Sequence, residues 1–414
     1  MRVRIPQYFR AMESYSSNTE TVGVIPDFCK RGRYRMKRAP SSKSFLTLPL
    51  NSPDAGFVPA QDSKLAPVEG WTRRQLLVAA GWTVSLSALG GTKPEAQSGD
   101  SSRVDRNALK HIDVHHHFIP PQYLKEGPPS VAMSKVGNWS PARAIEDMDR
   151  HGIDISVLSF SSPYLWFPGV ENGRKLARLC NDYSTQIVRD HPRRFGLFAG
   201  VPPLADTEGC LSEIEYALDE LHSQGITVMT SYGNSWLSDP AFAPVWDELN
   251  RRDAVVFVHP AIPTCCTALG QVPPSYVELP LDTARSVANL WFSGAFERWS
   301  RIRFIFSHGG GALPMVADRI DKLGRPGKEP GSLLHDAATQ FDNLYFDTAN
   351  AASPVAFAGL RAFANPRRIL FGTDYPYVSL ARGVDDLARA QLSPRQMRAI
   401  QSENALLLMP TLVS

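Results

Sequence analysis

Eight short, continuously apolar runs recur between His111 and Asp374, and polar or amphipathic segments separate them. They are "HIDVHHH" (111–117), "DISVLSF" (154–160), "FGLFAGV" (195–201), "GITVMTS" (225–231), "AVVFVHP" (254–260), "IRFIFSH" (302–308), "NLYFDTA" (343–349) and "RILFGTD" (368–374). β-Branched and aromatic residues dominate them. Short apolar runs of this kind are strands buried on both faces. The stretches between them place apolar residues at i, i+3 and i+4, the spacing of a helix with one buried stripe. "SPARAIEDMDRHG" carries its own punctuation, with Ser140 as N-cap, Pro141 at the first helical position and Gly152 as the stop. Eight strands alternating with helices predict an α/β fold, the (β/α)8 TIM barrel. A doubly wound open sheet is the alternative. It is disfavoured because no glycine-rich phosphate turn follows the first strand.

A barrel of this type carries its chemistry at the C-terminal ends of the strands. Polar residues end several strands here: His115 and His117 on the first, His259 on the fifth, His308 on the sixth and Asp374 on the eighth. A lone strand-end histidine is ordinarily a hydrogen-bonded structural residue. Four of the chain's ten histidines plus an aspartate, converging on one mouth, describe a divalent-metal site instead. Neutral imidazole suits zinc, and the carboxylate also admits manganese or iron.

The triplet His115-His116-His117 need not act as one unit. Side chains alternate along a strand, so His115 and His117 share the face toward the mouth, and His116 points to the helix layer. The same alternation puts Asp113 on the His115 face, one layer deeper. There it serves either to orient a ligand or as an interior structural carboxylate. The "GGG" after His308 is read as a tight turn beside the site rather than a phosphate loop.

The rest of the chain is organised differently. Residues 1–66, rich in Ser, Pro, Arg and Lys, are expected to be a disordered leader. Residues 1–70 hold 11 Lys/Arg against 6 Asp/Glu, whereas the whole chain has a net charge of only +3. The basic excess is therefore local, and "KRGRYRMKR" from Lys30 reads as a solvated run, not a nucleic-acid surface. Residues 67–109 hold a signal-like stretch and a linker. Thr72, Arg73 and Arg74 precede an apolar run from Leu76 to Leu89, resembling a twin-arginine export signal and implying a bacterial periplasmic location. The run is too short for a stable membrane anchor, which needs roughly 20 apolar residues. Such signals stand near an N-terminus, so translation of the native chain is expected to begin nearer Val68. N-terminal sequencing would overturn this by finding Met1. The catalytic domain is expected over 110–414. The cysteines Cys29, Cys180, Cys210, Cys265 and Cys266 are odd in number and show no CxxC spacing. That argues against a disulfide framework and against a cysteine-rich zinc site.

The motifs "DVHHH", "VFVHP", "SGAFERWSRIRFIFSHGGG" and "FGTDYP" resemble the amidohydrolase-related superfamily, in its aminocarboxymuconate-semialdehyde decarboxylase-like branch. The likeness spans most of 111–410. "SYGNSWLSDPAFAPVWDELNRRDAVVFVHP" and "LDTARSVANLWFSG" are similar to 6-methylsalicylate decarboxylases within it. The resemblance implies a barrel of the metal-dependent hydrolase type with one divalent ion, usually zinc. It implies ligand roles for His115, His117, His259 and Asp374, and an acid/base role for His308. Strand four ends "VMTSY" without a lysine, so the carbamylated-lysine bridge of binuclear relatives is lacking. Many relatives carry an arginine after strand one that grips the substrate carboxylate. Residues 122–139 hold Lys125 and Lys135 but no arginine, and Arg285 is the replacement candidate, with a helix-surface salt bridge as its alternative role.

The expected reaction is non-oxidative decarboxylation of a small 2-hydroxybenzoate-type acid such as 6-methylsalicylate. The metal acts as Lewis acid and template, Asp374 donates the proton and His308 supports it. Phe160, Trp166, Tyr232, Trp236, Tyr375 and Tyr377 are the candidate walls for a flat aromatic ligand. The alternative is hydrolysis of an ester, lactone or amide at the same site. The partners expected are a small aromatic acid and, in a homodimer, a second copy of the chain. No nucleic acid is expected.

Overall fold

The computed structural model describes residues 110–126, 136–161, 170–262, 264, 269–324 and 337–413. The expected leader and signal-like stretch lie outside the described residues, as do Lys135, Trp166, Cys265 and Cys266.

All eight expected strands form: β1 (Ile112–His117), β2 (Ile155–Ser159), β3 (Phe195–Gly200), β4 (Gly225–Met229), β5 (Val255–His259), β6 (Arg303–Phe306), β7 (Tyr345–Asp347) and β8 (Ile369–Leu370). They pair in parallel and in sequence order. Val114 N donates to Phe371 O, Asp374 N to His115 O and His117 N to Tyr375 O, at 3.0, 2.9 and 2.7 Å. These bonds bring the last strand back to the first, as a (β/α)8 barrel requires.

A helix follows each strand: α1 (Pro141–His151), α2 (Val170–Asp190), α3 (Thr207–Glu215), α4 (Ala243–Arg251), α5 (Pro274–Phe292), α6 (Leu313–Leu323), α7 (Pro354–Phe363) and α8 (Leu380–Ala388). The caps of α1 fall where expected. Ser140 Oγ accepts from Arg143 N, and Gly152 is left-handed at φ 67°. Among the described residues no helix is long and apolar enough to cross a membrane.

Period-two burial divides the core into two layers. Val255 and Phe257 face a cluster inside the barrel with Ile112, Val114, Ile155, Val157 and Phe198. Val256 and Val258 face the larger cluster between strands and helices. Leu406, Leu408 and Leu412 from the C-terminal segment join the interior cluster. The barrel floor is thus filled with side chains, and truncating one such as Phe257 to alanine would cost about 3–5 kcal/mol.

One register irregularity shapes the site. In β1, Asp113 pairs with Ser156, but His116 already pairs with Leu158. β1 therefore contains one extra residue, a bulge. Ile112 and Val114 face the interior below it, and above it His115 and His117 take over that face. The expectation that Asp113 shares the face of His115 is corrected by this phase change. Asp113 lies on the His116 side, with its Oδ2 3.8 Å from His116 Nδ1. Its carboxylate is a backbone clamp, accepting from His115 N and Thr373 N, both at 3.0 Å, and from Thr373 Oγ1 at 2.6 Å. It fixes the two strand ends that carry His115 and Asp374.

Candidate metal centre

His115 and His117 turn their Nε2 atoms toward a common point, 2.9 Å apart. The His259 ring stands edge-on to both, at centroid distances of 5.3 and 4.8 Å. Asp374 Oδ1 lies 3.4 Å from His115 Nε2 and 3.2 Å from His117 Nε2. Taking one donor atom from each of these four buried residues, all lie within 4.8 Å of one another.

The far nitrogens explain why the near ones converge. His115 Nδ1 bonds Asp347 Oδ2 at 2.8 Å, His117 Nδ1 the carbonyl of Ser159 at 3.2 Å, and His259 Nδ1 the carbonyl of Pro260 at 3.1 Å. Each acceptor engages Nδ1, so Nε2 is the nitrogen left facing the cluster. This is how proteins orient imidazole ligands.

The electrostatics fit a cation. Burial holds His259 well below the ordinary histidine range, aided by repulsion from His117, His115 and His308. Burial also lowers His117, against the pull of Asp374. Both rings are therefore neutral and available as donors. Burial opposes a charge on His115 as well, but Asp347 and Asp374 outweigh it and raise it to about 10. Burial would raise Asp374, yet the hydrogen bonds of His115, His117 and His308 hold it well below the usual carboxylate range. A buried pocket with two carboxylates and neutral imidazoles favours positive charge, and a divalent ion with nitrogen and oxygen ligands meets that demand. A metal-binding site of three histidines and one aspartate is present.

His308 follows β6 in a left-handed conformation, φ 56°, and Asp374 follows β8 at φ 67°. Left-handed backbone at a non-glycine residue is held only where its surroundings over-determine it. For His308 the surroundings include Asp347, whose Oδ1 accepts from His308 N at 2.9 Å. The His308 ring sits 3.5 Å from Asp374 through Nε2 and Oδ2. Asn350 Nδ2 donates to the same oxygen at 2.9 Å. The two oxygens of Asp374 are thus divided. Oδ1 faces the ligand imidazoles, and Oδ2 faces His308 and Asn350.

Asp347 and Asn350 were missed in the sequence. The signal was available, because "YFDTAN" ends strand seven in polar residues just as strands one, five, six and eight end.

The aromatic candidates separate. Tyr377 lies beside the centre, 5.5 Å from the His117 ring, and its hydroxyl pairs with Ser161 Oγ at 3.0 Å. Tyr375 is corrected as a pocket wall. Its ring packs on His116 at 4.8 Å and its hydroxyl donates to Asp147 of α1 at 2.8 Å. It shares the outward side of the barrel wall with His116. Phe160 is a buried residue that packs against Phe118 and Tyr123. The Tyr232 hydroxyl accepts from Met229 N at 3.1 Å, and Trp236 lies half-buried in the short hairpin Ser231–Tyr232/Ser235–Trp236. Arg285 pairs within its own helix, 3.5 Å from Glu278.

The chain is similar to several known proteins. The chain is 36% identical over 324 residues to a 6-methylsalicylic acid decarboxylase of Aspergillus aculeatus, covering 73% of this chain and 96% of that protein. It is 33% identical over 316 residues to a 6-methylsalicylic acid decarboxylase of Penicillium expansum, with the same coverage. The fold is similar to that of a dihydroxybenzoic acid decarboxylase from a Polaromonas species, solved with manganese and the inhibitor 2-nitroresorcinol. The TM-score is 0.64 at 23% identity, covering 72% of this chain and 96% of that one. The family model described as amidohydrolase matches residues 112–409, from the first residue of β1 to beyond Asp374. That span contains every strand of the barrel and every residue of the metal centre, and the chain belongs to the amidohydrolase family.

Proposed function

We propose that this protein is a metal-dependent, non-oxidative decarboxylase of a small 2-hydroxybenzoate-type acid, with 6-methylsalicylate as the first substrate to try. The observation that carries the reading is the likeness over 96% of the length of a 6-methylsalicylic acid decarboxylase, joined to a centre that pairs Asp374 with His308. His115, His117, His259 and Asp374 would hold the ion. Zinc is the first choice for three imidazoles and one carboxylate, and manganese is the rival. When bound, the ion supplies a Lewis acid and a template for the phenolate and carboxylate oxygens of the substrate.

The residues of the chain then move one proton. Asp374 Oδ2, ionised at rest and held by Asn350, takes a proton relayed from solvent through His308 and delivers it to the ring carbon that bears the carboxylate. The new C–H bond forms first. The C–C bond then breaks, its electron pair restores the aromatic ring, and CO2 leaves. Tyr377 and Ser161 present hydroxyls beside His117, suited to a polar substituent of the ring. Tyr232 and Trp236, in the hairpin after β4, would supply aromatic surface.

The test offers metal-loaded protein 6-methylsalicylate, 2,6-dihydroxybenzoate and an aryl lactone. In D2O, CO2 release with one deuterium at the vacated ring carbon is expected. Lactone turnover without CO2 release would replace this reading by hydrolysis, with Asp374 and His308 acting on water. We further propose export, on the strength of Arg73-Arg74 and the apolar run behind them. Fractionation of a bacterial host expressing the chain would count against export if all protein stayed in the cytoplasm.

A further inference from the structure

We propose that Thr230 and Asp282 are positioning residues for His259. The proposal rests on the assignment of His259 as a metal ligand. It gives a role to two residues that the motif and strand containing them left without one.

Thr230 follows β4 and makes three bonds to what lies beside it. Its N–H donates to the carbonyl of His259 at 2.9 Å. Its Oγ1 accepts from Ala261 N at 2.8 Å. Its hydroxyl proton then goes to Asp282 Oδ2 in a short bond. The first two bonds hold the backbone on both sides of Pro260, whose carbonyl is the group that orients the His259 ring. Thr230 therefore fixes the carbonyl that turns Nε2 of His259 toward the cluster. His115 is oriented by a carboxylate, and the equivalent support for His259 is a length of backbone that must itself be held.

Asp282 fixes Thr230. A threonine hydroxyl rotates, and an acceptor for its proton locks the rotor with a lone pair toward Ala261. Asp282 is fully buried and supplies that acceptor. Burial raises its acid to about 6, against the Thr230 hydroxyl, which stabilises the ionised form. A buried carboxylate is costly unless it is bonded, so its placement here calls for a reason beyond packing. Glu278 and Arg285 stand one turn away on either side of it in α5, paired with each other at 3.5 Å.

The same stretch of α5 also braces the next loop. Ala312 N donates to Pro280 O at 3.0 Å, and a Cβ on Gly311 would fall 2.1 Å from that oxygen. Gly311 sits at φ 61° with no room for a side chain, three residues after His308. Residues 280–282 thus hold the loop after His259 through Thr230 and the loop after His308 directly.

The experiment measures zinc affinity of the full chain by competition with a chromogenic chelator, alongside thermal unfolding of the metal-free protein. Thr230→Val keeps the shape and removes the hydroxyl, and Asp282→Ala removes its acceptor. Both are expected to weaken zinc binding by about 10- to 100-fold, as loss of a ligand-orienting partner does. Thr230→Ser and Asp282→Asn keep the bonds and should restore the parent affinity. A Thr230→Val protein that binds zinc like the parent, whatever its melting temperature, overturns the proposal. If Asp282→Ala does not fold, the Thr230 pair decides alone. His259→Gln is the control for the underlying assignment. Parent affinity there would remove His259 as a ligand and the brace with it, whereas lost affinity there and parent affinity in Thr230→Val would remove the brace alone.

Discussion

Asp347 Oδ2 accepts a hydrogen bond from His115 Nδ1 at 2.8 Å, with both side chains fully buried. The other oxygen of Asp347 accepts from the backbone of His308 at 2.9 Å and of Ala349 at 3.0 Å. One carboxylate therefore sets the tautomer of a proposed ligand and holds the backbone of the proposed proton carrier. Asp347→Ala should weaken metal binding by about 10- to 100-fold. It should also lower turnover beyond that loss, because His308 is freed from its left-handed position. Metal titration followed by kcat at saturating metal separates the two effects. Parent kcat at saturation would leave Asp347 with the ligand alone.

The histidine triplet predicts an asymmetric mutant series. His116 is buried against Phe195 and Tyr375, and its Nε2 accepts from the Trp139 indole at 3.1 Å. His116→Gln should retain metal and lose at most about 1–3 kcal/mol of stability, the range for disturbing one buried hydrogen bond. His115→Gln and His117→Gln should lose the metal. Metal content by atomic emission after gel filtration reads the difference. A metal-free His116→Gln beside a metal-loaded His115→Gln would contradict the bulged register of β1.

His308→Ala should keep its metal and lose activity. Its ring faces Asp374 Oδ2 and is not one of the four clustered donors. Loss of a positioned proton-transfer group typically costs about 10²–10⁴-fold in rate. Stopped-flow detection of CO2 with metal analysis of the same sample checks this. A fall in metal content matching the fall in rate would make His308 a ligand instead.

At the barrel floor, His111 predicts a pH dependence of stability that is independent of the centre. Its Nδ1 donates to Gly152 O at 2.9 Å, and its Nε2 accepts from Gln401 at 2.9 Å. Burial lowers it below 6.5, outweighing the Gly152 bond and the nearby Asp154 and Asp113; Lys110 acts in the same direction as burial. The unfolded chain then binds the extra proton more readily than the folded one. Stability from this group is present above pH 6.5 and is lost as the pH falls below it. Thermal melts from pH 8 to 5 should show a steeper decline in the parent than in His111→Gln. Equal slopes would remove His111 as the cause.

The barrel was legible because its signal is local and repeated. Eight apolar runs with helical spacing between them can bury themselves in few ways, and every run became a strand. The clustering of His115, His117, His259 and Asp374 was legible for a related reason, since strand-end residues in a parallel barrel share one mouth. The bulge of β1 was not legible. It depends on how β1 matches β2, and "IDVHHH" read alone alternates without interruption, which is why Asp113 was placed on the wrong face. Tyr375 followed the same pattern. Its sequence neighbour Asp374 faces the centre, but a rotation of the chain at φ 67° and a partner on α1 decide where the tyrosine goes.

Sequence by itself determined the element order, the barrel and the set of polar residues at its mouth, because hydrophobic periodicity is written residue by residue. Only the tertiary structure decided which group orients which. Asp347 meets His115 across 232 positions of chain, and Asp282 meets Thr230 across 52. Such pairings carry no local periodicity. They arise because closing the barrel leaves buried hydrogen-bonding groups that must be matched by whatever lies opposite.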